Sequence, residues 1–176
     1  MMKLLAISGS ARAGSTNTAM LRAVSAIALP EHAVTVFSGV ADLPVFSPDL
    51  EAMPLPVAVQ NFADMIRDCD AMIVSSPEYV RAIPGGLKNA IDWLVSRDEL
   101  IDKPIAMLHA SHRGDDMLAQ LRLVLATVSQ RFSEDLFLRF DLVKMSPDKI
   151  LQHFEAPERR SAVKDFLTQL ALRCGG

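Results

Sequence analysis

Short, uninterrupted apolar runs recur along the chain, and they limit the folds open to it more than any other feature. The runs cover residues 4–7, 34–37, 71–74, 105–108 and, more weakly, 136–138. Several are apolar throughout, so both faces of each strand should be covered, as in a parallel sheet between two layers of helices. Because longer segments with helical spacing separate the runs, the pattern predicts a five-stranded, doubly wound α/β fold.

The segments between the runs carry apolar residues at helical spacing. Two such stripes comprise Leu87, Ala90, Ile91, Leu94 and Val95, and Val163, Phe166, Leu167, Leu170 and Ala171. Pro54 and Pro56 mark the approach to a further helix, whereas residues 38–55 and 142–156 have no clear pattern. A chain of 176 residues has the length of one domain, so we expect residues 1–176 to form a single domain. Its ligands should bind beyond the carboxyl ends of the strands.

Charge and run length argue against two classes of partner. A net charge of −3 lacks the basic excess that duplex DNA or an anionic membrane selects, so we expect no nucleic-acid and no membrane partner. No apolar run approaches the ~20 residues of a membrane span, and residues 4–7 are interpreted as a buried strand and not as part of a signal peptide. Cys69 and Cys174 lie far apart, which suits packed thiols in a reducing cytoplasm.

The loop after the first run, residues 8–18, consists of small residues, hydroxyls and one arginine, and it leads into a helix that Ser15 or Asn17 can cap. A helix N-terminus offers unpaired N–H groups and a partial positive charge to an anion. The spacing lacks the G-x-G-x-x-G of dinucleotide sites, and Ser15 stands where a P-loop has lysine. Two interpretations of this loop therefore remain. It is either a site for a terminal phosphate, such as that of FMN, or a capped turn that binds no ligand.

The loop after the third run is stiffened by prolines and paired glycines and carries the only tyrosine of the chain, Tyr79. Rigid backbone beside an aromatic side chain suits a flat conjugated ring, because main-chain N–H groups can bond its polar edge without reorganising. An ordinary exposed turn is the alternative. The presence of a second such loop on a neighbouring strand favours ring binding.

Together the two loops resemble a known enzyme family. The first reads G-S-x-R-x-x-S-x-N from Gly9, and the second reads S-P-E-Y-x-x-x-x-P-G-x-L-K-N-A-x-D-W from Ser76. Both are similar to the NAD(P)H-dependent FMN reductases, which include quinone, chromate and azo-dye reductases. The resemblance implies a flavodoxin-like fold, with a five-stranded parallel sheet in the order 2-1-3-4-5 and helices on both faces.

The resemblance also implies which residues hold the cofactor. The FMN phosphate would be bound by Ser10, Arg12, Ser15, Thr16, Asn17 and Thr18. The isoalloxazine ring would be bordered by the main chain of Pro77, Glu78, Tyr79 and Val80, and by Ser111 after the fourth run. Val80 and the loop 111–114 depart from the family's usual residues, which bears on substrate preference.

An enzyme of this kind uses FMN as its cofactor and NAD(P)H as its co-substrate. A hydride would pass to N5 of the flavin and two electrons would then reach a small-molecule acceptor in a ping-pong sequence, with the third loop stabilising the reduced ring. No side chain need act as an acid or base, and Arg81 or Arg113 could guide the nicotinamide phosphates. The family also implies a homodimer or homotetramer.

Other functions fit less well. A flavodoxin-type electron carrier is typically more acidic and richer in aromatic residues, and a flavin-binding sensor without turnover is the remaining alternative. His109 and His112 have metal-compatible spacing, but nothing nearby completes a set of three or four ligands. The G-x-S-x-G motif of a hydrolase is missing. Trp93, on the helix after the third loop, is expected in packing or in a subunit contact.

Overall fold

A computed structural model of the chain describes residues 1–175, in which five strands alternate with helices. The elements in chain order are β1 (Met2–Ser8), α1 (Thr16–Ala28), β2 (His32–Phe37), α2 (Pro48–Glu51), α3 (Val57–Asp68), β3 (Ala71–Ser75), α4 (Gly85–Asp92), β4 (Ile105–His109), α5 (Asp115–Val128), β5 (Phe132–Arg139), α6 (Pro147–His153) and α7 (Pro157–Leu172). All strand pairs are parallel, in the order β2-β1-β3-β4-β5. The five predicted strands and the flavodoxin-like order are confirmed.

The central strands are buried because both faces of the sheet are covered. Every residue of β3 and β4 is buried. Alternate residues enter two separate cores: Leu5 and Met72 pack on the face that carries Trp93, whereas Leu4 and Ile73 pack on the opposite face with helices α1 and α7. Continuous apolar runs, not alternating ones, are what such a strand requires.

The helices follow their predicted stripes except at the last member of each, since Ala171 of α7 is only partly buried and Val95 is exposed. Helix α4 ends at Asp92, so the stripe beginning at Leu87 extends past the helix. Leu94 is buried in the following turn, but Val95 is 66% exposed. The prediction that Val95 belongs to the buried stripe is therefore wrong. The backbone leaves the helical conformation after α4, so the helical spacing no longer places Val95 on the buried face.

Trp93 is fully buried and fixes the proline-rich segment 38–55 to the sheet. Its Nε1 donates a hydrogen bond of 2.7 Å to the carbonyl of Pro44, and the ring meets Phe46 edge-on at 5.2 Å. Asn89 on α4 adds bonds to Pro44 and Phe46. The predicted packing role of Trp93 within the chain is confirmed.

The segment 142–156 contains helix α6, which the sequence pattern left unassigned. Ser146 caps this helix by accepting a bond from Lys149 N, and buried Ile150 packs in the core beside α1. The loop between β5 and α6 consequently curls back toward the start of α1. None of the helices in residues 1–175 is both long and apolar enough to cross a membrane.

Candidate functional site

A cavity of about 350 Å³ opens at the carboxyl edge of the sheet, where a doubly wound fold binds its ligands. The loops that follow β1, β3, β4 and β5 all contribute to its wall. The lining residues are Thr16, Asn17, Pro77, Glu78, His109, Ala110, Ser111, Arg113, Gly114, Val143 and Lys144.

Gly9 joins the first of these loops to the third strand. Its N–H donates to the carbonyl of Ser75 at 2.8 Å. A Cβ at this position would lie 2.8 Å from Cδ2 of Leu87 and 2.9 Å from Oγ of Ser76, closer than real side chains pack. A larger residue would force Leu87 or Ser76 to shift, so glycine lets the loop after β1 lie directly against the loop after β3.

Several hydroxyl groups in the first loop are used to hold the loop itself. Thr18 Oγ1 lies 2.8 Å from Ser8 Oγ, and Ser75 Oγ donates to Asn17 Oδ1 at 2.8 Å. Ser15 caps α1 by accepting a bond from Thr18 N. The side chains of Thr18 and Asn17 are therefore anchored to the ends of β1 and β3, and the loop is preformed.

The backbone N–H groups of the same loop are largely free. Within residues 1–175, no protein group accepts a hydrogen bond from the N–H of Ala11, Ala13, Gly14, Ser15, Thr16 and Asn17. The first turn of α1 contains no acidic residue, and the exposed side chain of Arg12 adds positive charge. Orphan donors at a helix N-terminus suit a phosphate dianion.

The loop after β3 forms a narrow turn beyond the cavity. Tyr79 and Ala82 exchange two backbone hydrogen bonds of 3.0 Å, and the residues between them, Val80 and Arg81, have φ values of 52° and 60°. Val80 is 98% exposed. A β-branched residue at positive φ is rare, so this turn holds a strained backbone at an exposed position.

Three contacts tie this turn to the start of α5. Glu78 Oε2 accepts a hydrogen bond from Met117 N, Arg81 pairs with Asp116 at 2.6 Å, and Gln120 donates to the carbonyl of Arg81. Among residues 1–175, no hydrogen bond uses the N–H groups of Glu78 and Val80. The turn is thus held from α5 while the N–H groups of Glu78 and Val80 stay available.

His109, at the end of β4, shapes the fourth loop. The ring is 2% exposed, and its Nε2 lies 2.5 Å from the carbonyl of Arg113. Burial lowers the pKa of His109, with the Arg113 carbonyl opposing that shift, so the neutral ring donates from Nε2. Gly114 follows with φ of 99°, where a Cβ would approach His109 Nε2 to 3.0 Å. The glycine at position 114 therefore leaves room for the His109 ring.

The charged groups at the cavity do not form a metal site. Within the described part of the chain, no group of three or more His, Cys, Asp or Glu side chains could hold a metal ion. His112 instead contacts Asp141 at 2.9 Å, and Arg113 Nε donates to the His112 ring. The cavity's own charges are those of Glu78, Arg113 and Lys144.

The structure brings some of the predicted residues together at the cavity and leaves others beside it. Thr16, Asn17, Pro77, Glu78 and Ser111 line the wall. The others stand outside the lining: buried Ser10, Ser15 and Thr18 support the first loop, and exposed Arg12, Tyr79 and Val80 lie on loop surfaces.

Sequence reasoning missed Lys144 and Val143 because they follow the weakest apolar run and precede an unassigned helix. The topology could have indicated them. In a parallel sheet, the loop after the fifth strand lies at the same edge as the loop after the fourth, so its residues are candidates for the same site.

A second cavity, of about 270 Å³, lies at the opposite end of β1, between Lys3, Ala33, Asp64 and Cys69. Burial raises the pKa of the Cys69 thiol to about 11, so this group stays protonated and unreactive at neutral pH. The free N–H donors before α1 and the strained turn after β3 both lie at the other edge of the sheet, beside the first cavity. We therefore place the functional site at the carboxyl edge.

Comparisons with known proteins agree with the architecture. The chain is 38% identical over 112 residues to an NAD(P)H-dependent FMN reductase of Pseudomonas aeruginosa, covering 62% of this chain and 60% of that protein. It is 36% identical over 106 residues to a quinone reductase of Escherichia coli, covering 60% of this chain and 55% of that one. The chain thus matches little more than half the length of these curated relatives.

The fold is shared with solved flavoenzymes. FerB, a flavoenzyme NAD(P)H:(acceptor) oxidoreductase from Paracoccus denitrificans, superposes with a TM-score of 0.75 at 22% identity, over 98% of this chain and 99% of that one. The profile of the family described as NADPH-dependent FMN reductase matches residues 2–134, which include β1 to β4 and the loops after them. With three of the four loops of the cavity inside that match, the chain belongs to the NADPH-dependent FMN reductase family.

Proposed function

We propose that the chain is an FMN-dependent NAD(P)H oxidoreductase that reduces a small acceptor such as a quinone, an azo compound, a metal oxyanion or free flavin. The observation that carries the proposal is the set of six free N–H donors beside the cavity, those of residue 11 and residues 13–17. Family membership and the relatives named as FMN and quinone reductases support it. The family profile matches residues 2–134, and we propose that residues 1–176 act together as one reductase domain.

The phosphate of FMN fits the first loop because this loop has several N–H donors that make no hydrogen bond to a protein group. The proposed phosphate site consists of Ser10, Arg12, Ser15, Thr16, Asn17 and Thr18. The side chains of Ser15, Asn17 and Thr18 hold the backbone of the loop in place, and Arg12 supplies positive charge. A site built mainly from backbone dipoles and one cation suits a dianion better than an uncharged ligand.

The flat ring would lie against the loops after β3 and β4. Pro77 and Ser111 line the cavity there, and the free N–H groups of Glu78 and Val80 could bond a polar ring edge. FMN held there would supply the hydride and two-electron chemistry between NAD(P)H and the acceptor, which we propose to run as ping-pong half-reactions. The N–H dipoles that the protein holds toward the ring would stabilise negative charge on the reduced ring.

The test is spectroscopic and uses the purified full chain with FMN. We expect the flavin absorbance to bleach when NADPH is added anaerobically and to return when a quinone is added. If the flavin absorbance also bleached in a control without NADPH, light would be the reductant. Both samples are therefore kept in the dark between readings. A bound flavin that neither NADH nor NADPH reduces would contradict the proposal and favour a flavodoxin-type carrier or a sensor.

We also propose a cytoplasmic homodimer or homotetramer. Exposed apolar side chains on the segment around α2 support self-association, since Val45, Met53 and Val57 are 81%, 64% and 76% exposed. The separated thiols Cys69 and Cys174, which form no disulfide, suit a reducing compartment. Light scattering on the purified protein tests the assembly, and a monomer at micromolar concentration would contradict it.

A further inference from the structure

Lys144 occupies a backbone position that disfavours it. The N–H of Met145 donates to the carbonyl of Leu142 at 3.2 Å, which closes a turn with Lys144 as its third residue. The φ of Lys144 is 65°, in the left-handed region that glycine or asparagine usually occupies at this position. A lysine is disfavoured at such a φ, so the conformation of the turn does not explain why this residue is a lysine.

The turn is firmly attached to the wall of the cavity. Phe140 N donates to the carbonyl of His109 at 2.9 Å, and Leu142 N donates to the carbonyl of Ala110 at 3.4 Å. Leu142 is fully buried, and α6 begins three residues after Lys144. The exposed Lys144 side chain therefore stands at a fixed place on the rim and is not part of a loose loop.

The charge of Lys144 is not balanced by the protein. Among residues 1–175, Lys144 makes no ion pair. The acidic side chains of the adjoining loops are engaged elsewhere, since Glu78 accepts from Met117 N, Asp141 accepts from His112, and Asp115 pairs with Arg139. A cation that lines a cavity without a partner suits an anionic ligand.

The neighbours of Lys144 in the cavity indicate which part of a ligand it would meet. Thr16 and Asn17, in the first turn of α1, line the same cavity. They carry two of the free N–H donors assigned to the flavin phosphate. The amine thus adds a charge from the loop after β5 to a site whose dipoles come from the loop after β1.

We infer that Lys144 binds the phosphate-bearing end of FMN and makes the site selective for FMN over riboflavin. This inference rests on the proposed function, and it adds a residue beyond the matched part of the chain, which ends at residue 134. The shared chemistry is a phosphate monoester dianion, which NADPH also carries. The experiment below therefore separates FMN from the dinucleotide.

The test compares Lys144→Met with Lys149→Met, a control on exposed α6 that removes the same charge away from the cavity. Dissociation constants for FMN and riboflavin are measured by flavin fluorescence at low salt, without NADPH. We expect K144M to weaken FMN binding about tenfold and riboflavin binding less than twofold, and K149M to weaken neither, because a hydrogen bond to a charged group is worth about that factor. Lys144→Arg should retain FMN affinity within about threefold.

Lys144→Gly separates binding from folding. Because glycine relieves the positive φ, K144G should melt at or above the temperature of the parent protein while losing FMN affinity like K144M. Equal losses for FMN and riboflavin, or unchanged FMN affinity with a raised KM for NADPH alone, would overturn the inference and leave the reductase proposal standing. A parent protein that binds neither flavin would remove the proposed function itself, and this inference with it.

Discussion

Glu78, in the loop after β3, accepts a hydrogen bond at its Oε2 from the backbone N–H of Met117, the third residue of α5. One carboxylate thereby caps a helix that begins after a different strand, and it joins the two loops that we assign to the flavin ring. A negative group at a helix N-terminus is stabilising, so the contact serves the helix as well as the loop.

Removing this carboxylate should loosen both loops. We predict that Glu78→Ala lowers the free energy of unfolding by about 1 kcal/mol and weakens FMN severalfold, since the turn loses its anchor to α5. Glu78→Gln keeps an acceptor oxygen and should lose about half as much. Urea unfolding and flavin titration measure the two effects, with Glu155→Ala at an exposed position as control. Parent-like values for E78A would contradict the coupling.

The two glycines of the first loop should differ sharply in their tolerance of a methyl group. At Gly9 a Cβ meets Leu87 and Ser76 below 3.0 Å, whereas at Gly14 nothing lies within 4 Å. We predict that Gly9→Ala destabilises the fold by about 2 kcal/mol, as overpacking does, and that Gly14→Ala changes it by less than 1 kcal/mol. Denaturant midpoints of the two variants decide the matter, and similar values would show that the loop adjusts freely.

The phosphate loop makes a prediction about ligand selectivity. Arg12→Ala and Ser15→Ala should each weaken FMN by tenfold or more and riboflavin little, because only FMN carries the phosphate. Ser15 also caps α1, so its loss costs about 1 kcal/mol of stability. Ser47→Ala removes a side-chain cap from α2, away from the cavity, and serves as the control with unchanged flavin binding. Equal weakening of both flavins would exclude this loop as the phosphate site.

The buried thiol gives stability a dependence on alkaline pH. Burial raises the pKa of Cys69 from its ordinary value of 9.0 to about 11, so the fold favours the protonated thiol. The corresponding stability is fully present below pH 9 and is lost as the pH rises toward 11, at up to 1.4 kcal/mol per unit. The difference in unfolding free energy between the parent protein and Cys69→Ala should narrow over that interval. A constant difference would show that Cys69 ionises freely in the folded state.

Much of the architecture was predictable because buried strands need apolar residues on both faces. The runs at β1, β3 and β4 are continuous, and the structure buries them completely. The end of α4 was not predictable, since Leu94 keeps the apolar spacing while the backbone has already turned. Helix α6 is only seven residues long, too short for a periodic signal.

The candidate site was predictable in its loops but less so in its side chains. Hydroxyls and glycines after β1 indicated an anion site, and the structure leaves six N–H groups free there. The internal bonds of Thr18 and Asn17 depend on Ser8 and Ser75, which are brought together by strand pairing. The position of Lys144 at the cavity depends on a turn in which this residue has a positive φ. A lysine in a sequence does not indicate such a turn.

The most direct measurement is a crystal structure of the full chain with FMN. We expect a phosphate within hydrogen-bond distance of the N–H groups of residue 11 and residues 13–17, with the ring against Pro77 and Ser111. A phosphate found at any other edge of the sheet, or a cavity that stays empty in saturating FMN, would contradict it.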